Sequence, residues 1–357
     1  MNPLLYDINL TYEKNYDLGP VNLKKLNKPV FKKLKKKFKF LGFDVNLPFG
    51  IPAGPLLNNK FIKCAFDFGF SVVTYKTVRA DNFPCHPYPN ILYVDSPKEL
   101  HPQENPRLNA ATKTPKNFSK INITNSFGVP SKEPKAWQKD VIKAKTYEKK
   151  GQLLVLSFMG TVKKNQTQEE FIDDFAKAAK LANKTHVKVL EANLSCPNIG
   201  NEGLVCYNLT ATEKICRAIR SVIGKTPLIL KVGYYKNIKD IEKIAEIAQR
   251  YANAISSINT LQVEVVNANG NQALPGQNRL KSGICGSAIK WAGLEMVKKL
   301  NKIRKTKKYK FEIIGVGGVM TANDYFAYRK AGADLVQSAT GAMWNPYLAY
   351  EICKNEL

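Results

Sequence analysis

Two lysines stand where a lysine is costly: Lys76 closes the apolar run Ser71 to Lys76, and Lys231 lies inside Pro227 to Val232. An ammonium group within a buried strand loses its hydration unless it meets an anion or a polarised carbonyl, so both lysines are predicted to touch a ligand. Other apolar runs also end in polar side chains: Asn193, followed by Ser195, Cys196 and Asn198; Asn259 and Thr260; and Asn125 and Ser126. Glycines cluster at Gly315, Gly317 and Gly318, and a second small-residue turn runs Ser338-Ala339-Thr340-Gly341, each group just before a helical pattern. Backbone amides at such turns can hold a phosphate dianion.

These residues can act together only if the chain brings the ends of the runs to one place. Eight short apolar runs alternate with helical patterns: Gly50 to Gly54, Ser71 to Lys76, Leu153 to Met159, Val187 to Asn193, Pro227 to Val232, Ala254 to Asn259, Phe311 to Val316 and Asp334 to Ser338. Most are rich in Val, Ile and Leu without polar alternation, as in strands covered on both faces. Helices are predicted between them, including Thr167 to Asn183, with Thr167 as N-cap and Glu170 three residues on, and Ile238 to Tyr251. Eight βα repeats predict a (β/α)8 TIM barrel, whose site is built where the strands end.

The barrel domain is expected over residues 46–357, with a basic extension over residues 1–45. Between Lys24 and Lys39 there are nine lysines and no acid, while Leu23, Leu26, Val30, Phe31, Leu34 and Phe38 recur at helical spacing. This reads as a basic amphipathic helix started or strained by Pro29, laid on the main domain with a solvated lysine face. Residues 21–40 could also make weak contact with an acidic membrane. A long insertion after the second strand, Pro84 to Pro115, holds seven of the nineteen prolines and leads to another short strand, Ile121 to Ser126. Loops after barrel strands emerge on the catalytic face, so this excursion is expected over the site or at a subunit contact.

Composition bounds the function. With 357 residues and 44% apolar content the chain can bury a large core, which excludes disorder and fibrous repeats. Lys plus Arg exceed Asp plus Glu by 26, a surface that attracts anions without naming one. No apolar run approaches the roughly 20 residues of a membrane-spanning helix, and the first fifteen residues resemble neither a secretory signal nor a transit peptide, so a cytoplasmic protein is expected. Seven scattered cysteines without a CxxC pair disfavour disulfides and zinc, and His86, His101 and His186 form no ligand pattern; no metal is expected.

Taken together, Asn193-Leu-Ser-Cys-Pro-Asn198, Thr74-Tyr-Lys76, Asn125-Ser-Phe-Gly128, Lys231, Ile258-Asn259-Thr260 and Ile314-Gly-Val-Gly-Gly318 strongly resemble the dihydroorotate dehydrogenases, FMN-containing (β/α)8 enzymes of pyrimidine synthesis. The likeness runs from about Pro48 to Trp344. It implies that dihydroorotate loses a proton from C5 to Cys196, while hydride passes from C6 to the flavin. Cysteine at this position marks the soluble branch (class 1), where the quinone-reducing branch has serine. A thiol suits the task, since its ordinary pKa near 8.5 leaves an accessible basic form.

The resemblance further implies that Lys76 lies between substrate and flavin, and that Asn125, Asn193, Asn198, Asn259 and Thr260 hydrogen-bond the substrate, carboxamides matching a pyrimidinedione edge. Lys231 would lie against the N1/O2 side of the isoalloxazine. Ala53, Gly54, Lys76, Thr77, Asn193 and Gly286 would line the flavin, and Gly317, Gly318, Ala339 and Thr340 its phosphate. Ala339 and Cys285 stand where the family usually has glycine, and Ser131 where it has asparagine. A homodimer is expected, with an iron–sulfur partner subunit as one route for electrons; fumarate, NAD and quinone are all open as acceptors. Two other readings compete: a flavin-dependent reductase of another dihydropyrimidine, of the uracil or thymine type, and a basic protein binding nucleic acid or lipid on a degenerate barrel. No specific nucleic-acid partner is expected on the leading reading.

Overall fold

A computed structural model describes residues 3–20, 22–23, 26–31, 34, 36–104, 106–111, 115–195 and 204–356. In chain order the strands are β1 (Phe38–Phe40), β2 (Phe43–Val45), β3 (Phe49–Ile51), β4 (Val72–Val78), β5 (Arg107–Asn109), β6 (Asn122–Asn125), β7 (Leu153–Phe158), β8 (Val189–Asn193), β9 (Leu228–Val232), β10 (Ala254–Ser257), β11 (Leu261–Val266), β12 (Lys281–Gly286), β13 (Glu312–Val316) and β14 (Leu335–Gln337). Eight of them close a parallel barrel in the order β10-β13-β14-β3-β4-β7-β8-β9. These eight are the apolar runs picked out in the sequence, because strands buried on both faces have no polar side to interrupt them.

Helices α1 (Tyr12–Leu18), α2 (Asn59–Asp67), α3 (Pro134–Lys145), α4 (Gln168–Asn183), α5 (Leu209–Ile223), α6 (Ile238–Tyr251), α7 (Lys290–Lys307), α8 (Ala322–Ala331), α9 (Thr340–Trp344) and α10 (Leu348–Glu356) complete the chain. Those from α2 to α8 lie between successive barrel strands, α3 and α7 coming after the inserted strands β6 and β12. Helix α4 begins with the expected capping box: Thr167 accepts from the Glu170 amide, and Glu170 from the Thr167 amide. Helix α6 has the predicted bounds, started by Asn237, whose side chain accepts from the Lys239 amide.

The barrel interior is layered. Its lower core packs Val72, Leu153, Val155, Val189, Ile229, Ala254, Ile314 and Leu335, and is closed from below by Phe38, Phe40 and Val45 of the β1–β2 hairpin. Above it, buried Thr74, Ser157, Glu191, Ser256 and Gln337 form a polar layer, and the strand ends lie above that.

The N-terminal region departs from the sequence reading. No described residue between Leu26 and Lys37 is helical, and Phe38–Phe40 is a strand. Pro29 cannot donate to a helical hydrogen bond and restricts Lys28 before it. From Phe38 on, the burial alternates, Phe38 and Phe40 inward and Lys39 outward, which is the period of a strand. Val30 is 85% exposed, so the apolar stripe is not gathered onto one face. The helix that does form here is α1, capped by Thr11 and ended at Gly19 (φ +77°). Leu5, Tyr6, Tyr12 and Leu23 pack into the same core as the barrel helices.

The insertion after β4 carries β5 and β6, which join β11 and β12 in a separate sheet of order β5-β11-β12-β6. The β11–β12 pair was not anticipated, although Leu261, Val263 and Val265 alternate with Gln262 and Glu264. Arg279, 3% exposed, ties this layer together by donating to Ser126 Oγ (3.0 Å) and to the carbonyls of Ser126, Pro87, Pro89 and Pro275.

Candidate active site

Parallel strands share one direction, so the residues that end them meet at one mouth. Lys76 and Thr77 stand near the end of β4, Asn193 at the end of β8 and Lys231 near the end of β9, with the Cα atoms of Asn193 and Lys231 paired across the ladder. Asn259 and Thr260 follow β10, where the Asn259 amide donates to Val232 O (3.0 Å). Gly317 and Gly318 follow β13, Ala339 and Thr340 follow β14, and Ala53 and Gly54 follow β3. Asn125 ends β6 opposite Gly283, and Gly286 ends β12 opposite Asn122, so these two belong to the accessory sheet joined to the β10 end. Cys196 and Asn198 lie outside the described residues.

Lys76 is 6% exposed; its ammonium donates to Thr77 O (2.7 Å) and Pro130 O and lies 6.0 Å from the ring centre of Tyr12. Burial, reinforced by the nearby Arg79 charge, lowers its pKa from 10.5 to about 7. Lys231 is equally buried, and burial likewise lowers its pKa, opposed by Glu191 and Cys285. Neither lysine meets the bulk solvent that ordinarily keeps an ammonium charged, the condition expected where an anionic ligand supplies the missing partner.

The mouth has features of a site shaped for a flat, polar, phosphate-bearing group. Asn193 Nδ2 reaches toward Thr77 Oγ1 (3.5 Å), which is bonded to Ser157 Oγ (3.0 Å). Gln337 donates to Thr74 Oγ1 (3.3 Å), while its Oε1 and Ser256 Oγ, both buried, have no hydrogen-bond partner. Gly54 has φ +137° with open space where a Cβ would stand. A Cβ on Gly318 (φ +65°) would stand 2.6 Å from the Lys290 Cβ, so only glycine lets the backbone run this close to the start of α7. FMN fits these donors: a dianion at the glycine turns, and a ring edge at Lys231.

Two features of the site were missed. Glu191 sits in the barrel beneath the strand ends with 0% exposure, and it interrupts an apolar run as visibly as either lysine. Tyr12 and Tyr6 of the N-terminal arm pack edge-on to Phe127, next to the Asn125 strand end. Nothing local in the sequence signals that contact. Cys285, which stands in place of a family glycine, is a thiol that burial pushes up to about 12. Ser131, in place of asparagine, accepts from the Arg79 amide (3.1 Å) and donates to Lys132 O (2.9 Å).

Comparisons with known proteins agree with this geometry. The sequence profile for dihydroorotate dehydrogenase matches residues 103–357. The chain is 34% identical to the dihydroorotate dehydrogenase of Dictyostelium discoideum over 359 residues, covering 98% of this chain and 96% of that protein. It is 31% identical over 184 residues to the catalytic subunit of the NAD(+) dihydroorotate dehydrogenase B of Brachyspira hyodysenteriae, spanning 51% of this chain and 58% of that subunit. The corresponding subunit of Trichlorobacter lovleyi is 32% identical over 185 residues, again about half of each chain. With a relative matched over nearly the whole chain and a matching profile over residues 103–357, this chain belongs to the dihydroorotate dehydrogenase family.

Proposed function

We infer that this protein oxidises dihydroorotate to orotate with FMN as its cofactor, in pyrimidine biosynthesis. The observation that carries the reading is the meeting of Lys76, Asn193 and Lys231 at one barrel mouth, in a chain similar over its whole length to a dihydroorotate dehydrogenase. That similarity disfavours a reductase of uracil or thymine type and a degenerate nucleic-acid- or lipid-binding barrel.

Bound FMN supplies the acceptor for the C6 hydride. Cys196, as thiolate, takes the C5 proton, so the two carbons lose a proton and a hydride and the C5=C6 double bond forms. Asn125, Asn193, Asn198, Asn259 and Thr260 orient the carboxylate and ring amides, so that C5 faces the thiol and C6 the flavin. Lys76 stands between substrate and cofactor, where its buried ammonium favours developing negative charge. Lys231 would place positive charge at the flavin N1/O2 edge. Ala53, Gly54, Thr77 and Gly286 would border the ring, and Gly317, Gly318, Ala339 and Thr340 would hold the phosphate. Cysteine in the base position favours the soluble branch of the family, and a cytoplasmic homodimer is proposed on that basis. The acceptor that reoxidises the cofactor would be fumarate, quinone, or NAD reached through an iron–sulfur partner subunit.

Anaerobic mixing of the purified yellow protein with dihydroorotate tests this: the oxidised flavin band should bleach, and the subsequent addition of each acceptor should identify the one that restores it. A colourless protein that takes up no FMN, or a flavin band indifferent to dihydroorotate, overturns the reading.

A further inference from the structure

Glu191 is the one carboxylate in the barrel's polar layer among the described residues, and it is wholly buried. Neither of its oxygens has a hydrogen-bond partner; the hydroxyl of Ser157, its Cα partner on β7, lies 3.0 Å from Thr77 Oγ1, and either of those two hydroxyls can donate to the other. Its place in the ladder is informative. Glu191 pairs with Ile229, and two residues on Asn193 pairs with Lys231. Val189 and Ile229 both face the lower barrel core, so by strand alternation Glu191 and Lys231 both point inward, as diagonal neighbours on adjacent strands.

The other groups around this carboxylate offer no competing charge. Thr74, Ser157, Ser256 and Gln337 are neutral, the Cys285 thiol is held neutral by burial, and the Lys76 ammonium is occupied by the carbonyls of Thr77 and Pro130. Burial raises the carboxyl's pKa, with Lys231 and then Ser157 pulling the other way. A buried carboxylate and a buried ammonium on adjacent strands each lower the penalty of the other's charge, and either one alone is strongly unfavourable.

We propose that Glu191 is a positioning residue for Lys231: its carboxylate is the counter-charge that keeps the Lys231 ammonium charged at the barrel mouth. The inference rests on the FMN reading for its consequence, since the ammonium so maintained faces the ring edge that gains electron density on reduction. It does not rest on that reading for the pair itself.

The test is a double-mutant cycle in the FMN-loaded protein, with Glu191→Gln, Lys231→Met and the two combined, read by thermal midpoint and by flavin reduction potential. Each single variant should lose several degrees of midpoint, and the double variant should recover most of that loss; additive losses overturn the pair. The potential separates the proposed role from that of a simple negative charge. Removing a negative charge near a flavin would raise the potential, whereas Glu191→Gln should lower it, because Lys231 then gives up its proton. Lys231→Met should lower it at least as far, and the double variant no further. A rise or an unchanged potential in Glu191→Gln overturns the proposal while the FMN reading stands. If Glu191→Gln alone does not fold, folding of the double variant upholds the pair and its failure to fold overturns it.

Discussion

At the scale of single residues, the proposed chemistry turns on one thiol. Cys196 lies in Asn193-Leu-Ser-Cys-Pro-Asn198, directly after the β8 end that holds Asn193 beside Lys231. A general base contributes about 10²–10⁴-fold to rate, so Cys196→Ala should lose turnover by that order or more while the protein stays yellow. Cys196→Ser should retain slow turnover displaced to higher pH, because a hydroxyl gives up its proton less readily than a thiol. Rates as a function of pH check both; an unchanged rate in both variants removes Cys196 from the role of base. The two buried lysines were legible at this scale, because an ammonium group inside an apolar run has no ordinary structural use. Glu191 carried the same kind of signal, but a carboxylate is recognisable as a counter-charge only once the lysine opposite is known.

Among the elements, the strands that close the barrel were legible because burial on both faces leaves continuous apolar runs, and the β1–β2 hairpin was not. Phe38 fits a helical spacing with Leu34 and Phe31 as well as it fits a strand with Phe40, and only the packing under the barrel decides between them. The hairpin is joined to the barrel by Glu312, whose Oε1 accepts from the Leu41 amide (2.8 Å) while Oε2 is buried without a partner. Burial, with Asp334 adding to it, raises this carboxyl from 4.5 to about 7. The folded state therefore binds the proton more tightly than the unfolded chain, and the carboxyl withdraws stability as pH rises from about 4.5 to 7. Glu312→Gln should match wild type most closely below that window and gain on it across the window, by on the order of 1 kcal/mol once partial solvent contact is allowed for. Denaturant unfolding at a series of pH values checks this; a difference that shrinks with rising pH would contradict it.

For the whole molecule, stability and chemistry occupy opposite ends of the barrel. Phe40 is fully buried in the plug at the lower end, so Phe40→Ala should cost about 3–5 kcal/mol in denaturant unfolding. The FMN absorbance of the protein that remains folded should be unchanged, since the flavin's residues stand at the other end; loss of the cofactor at native conditions would show that the two ends are coupled. The N-terminal arm spans that division. Tyr12 packs near Lys76 at the mouth, and Phe38 closes the floor.

By itself, the sequence determined the number and order of the βα units and marked Lys76 and Lys231 as charges inside apolar runs, since the first follows from local periodicity and the second from the cost of burying an ammonium group. Tertiary structure alone decided that Phe38–Phe40 is a strand under the barrel, that β11–β12 pairs with the insertion, and that Glu191 lies diagonally from Lys231. Those choices compare environments contributed by segments far apart in the chain, and a preference that depends on a distant partner leaves no mark in the local pattern.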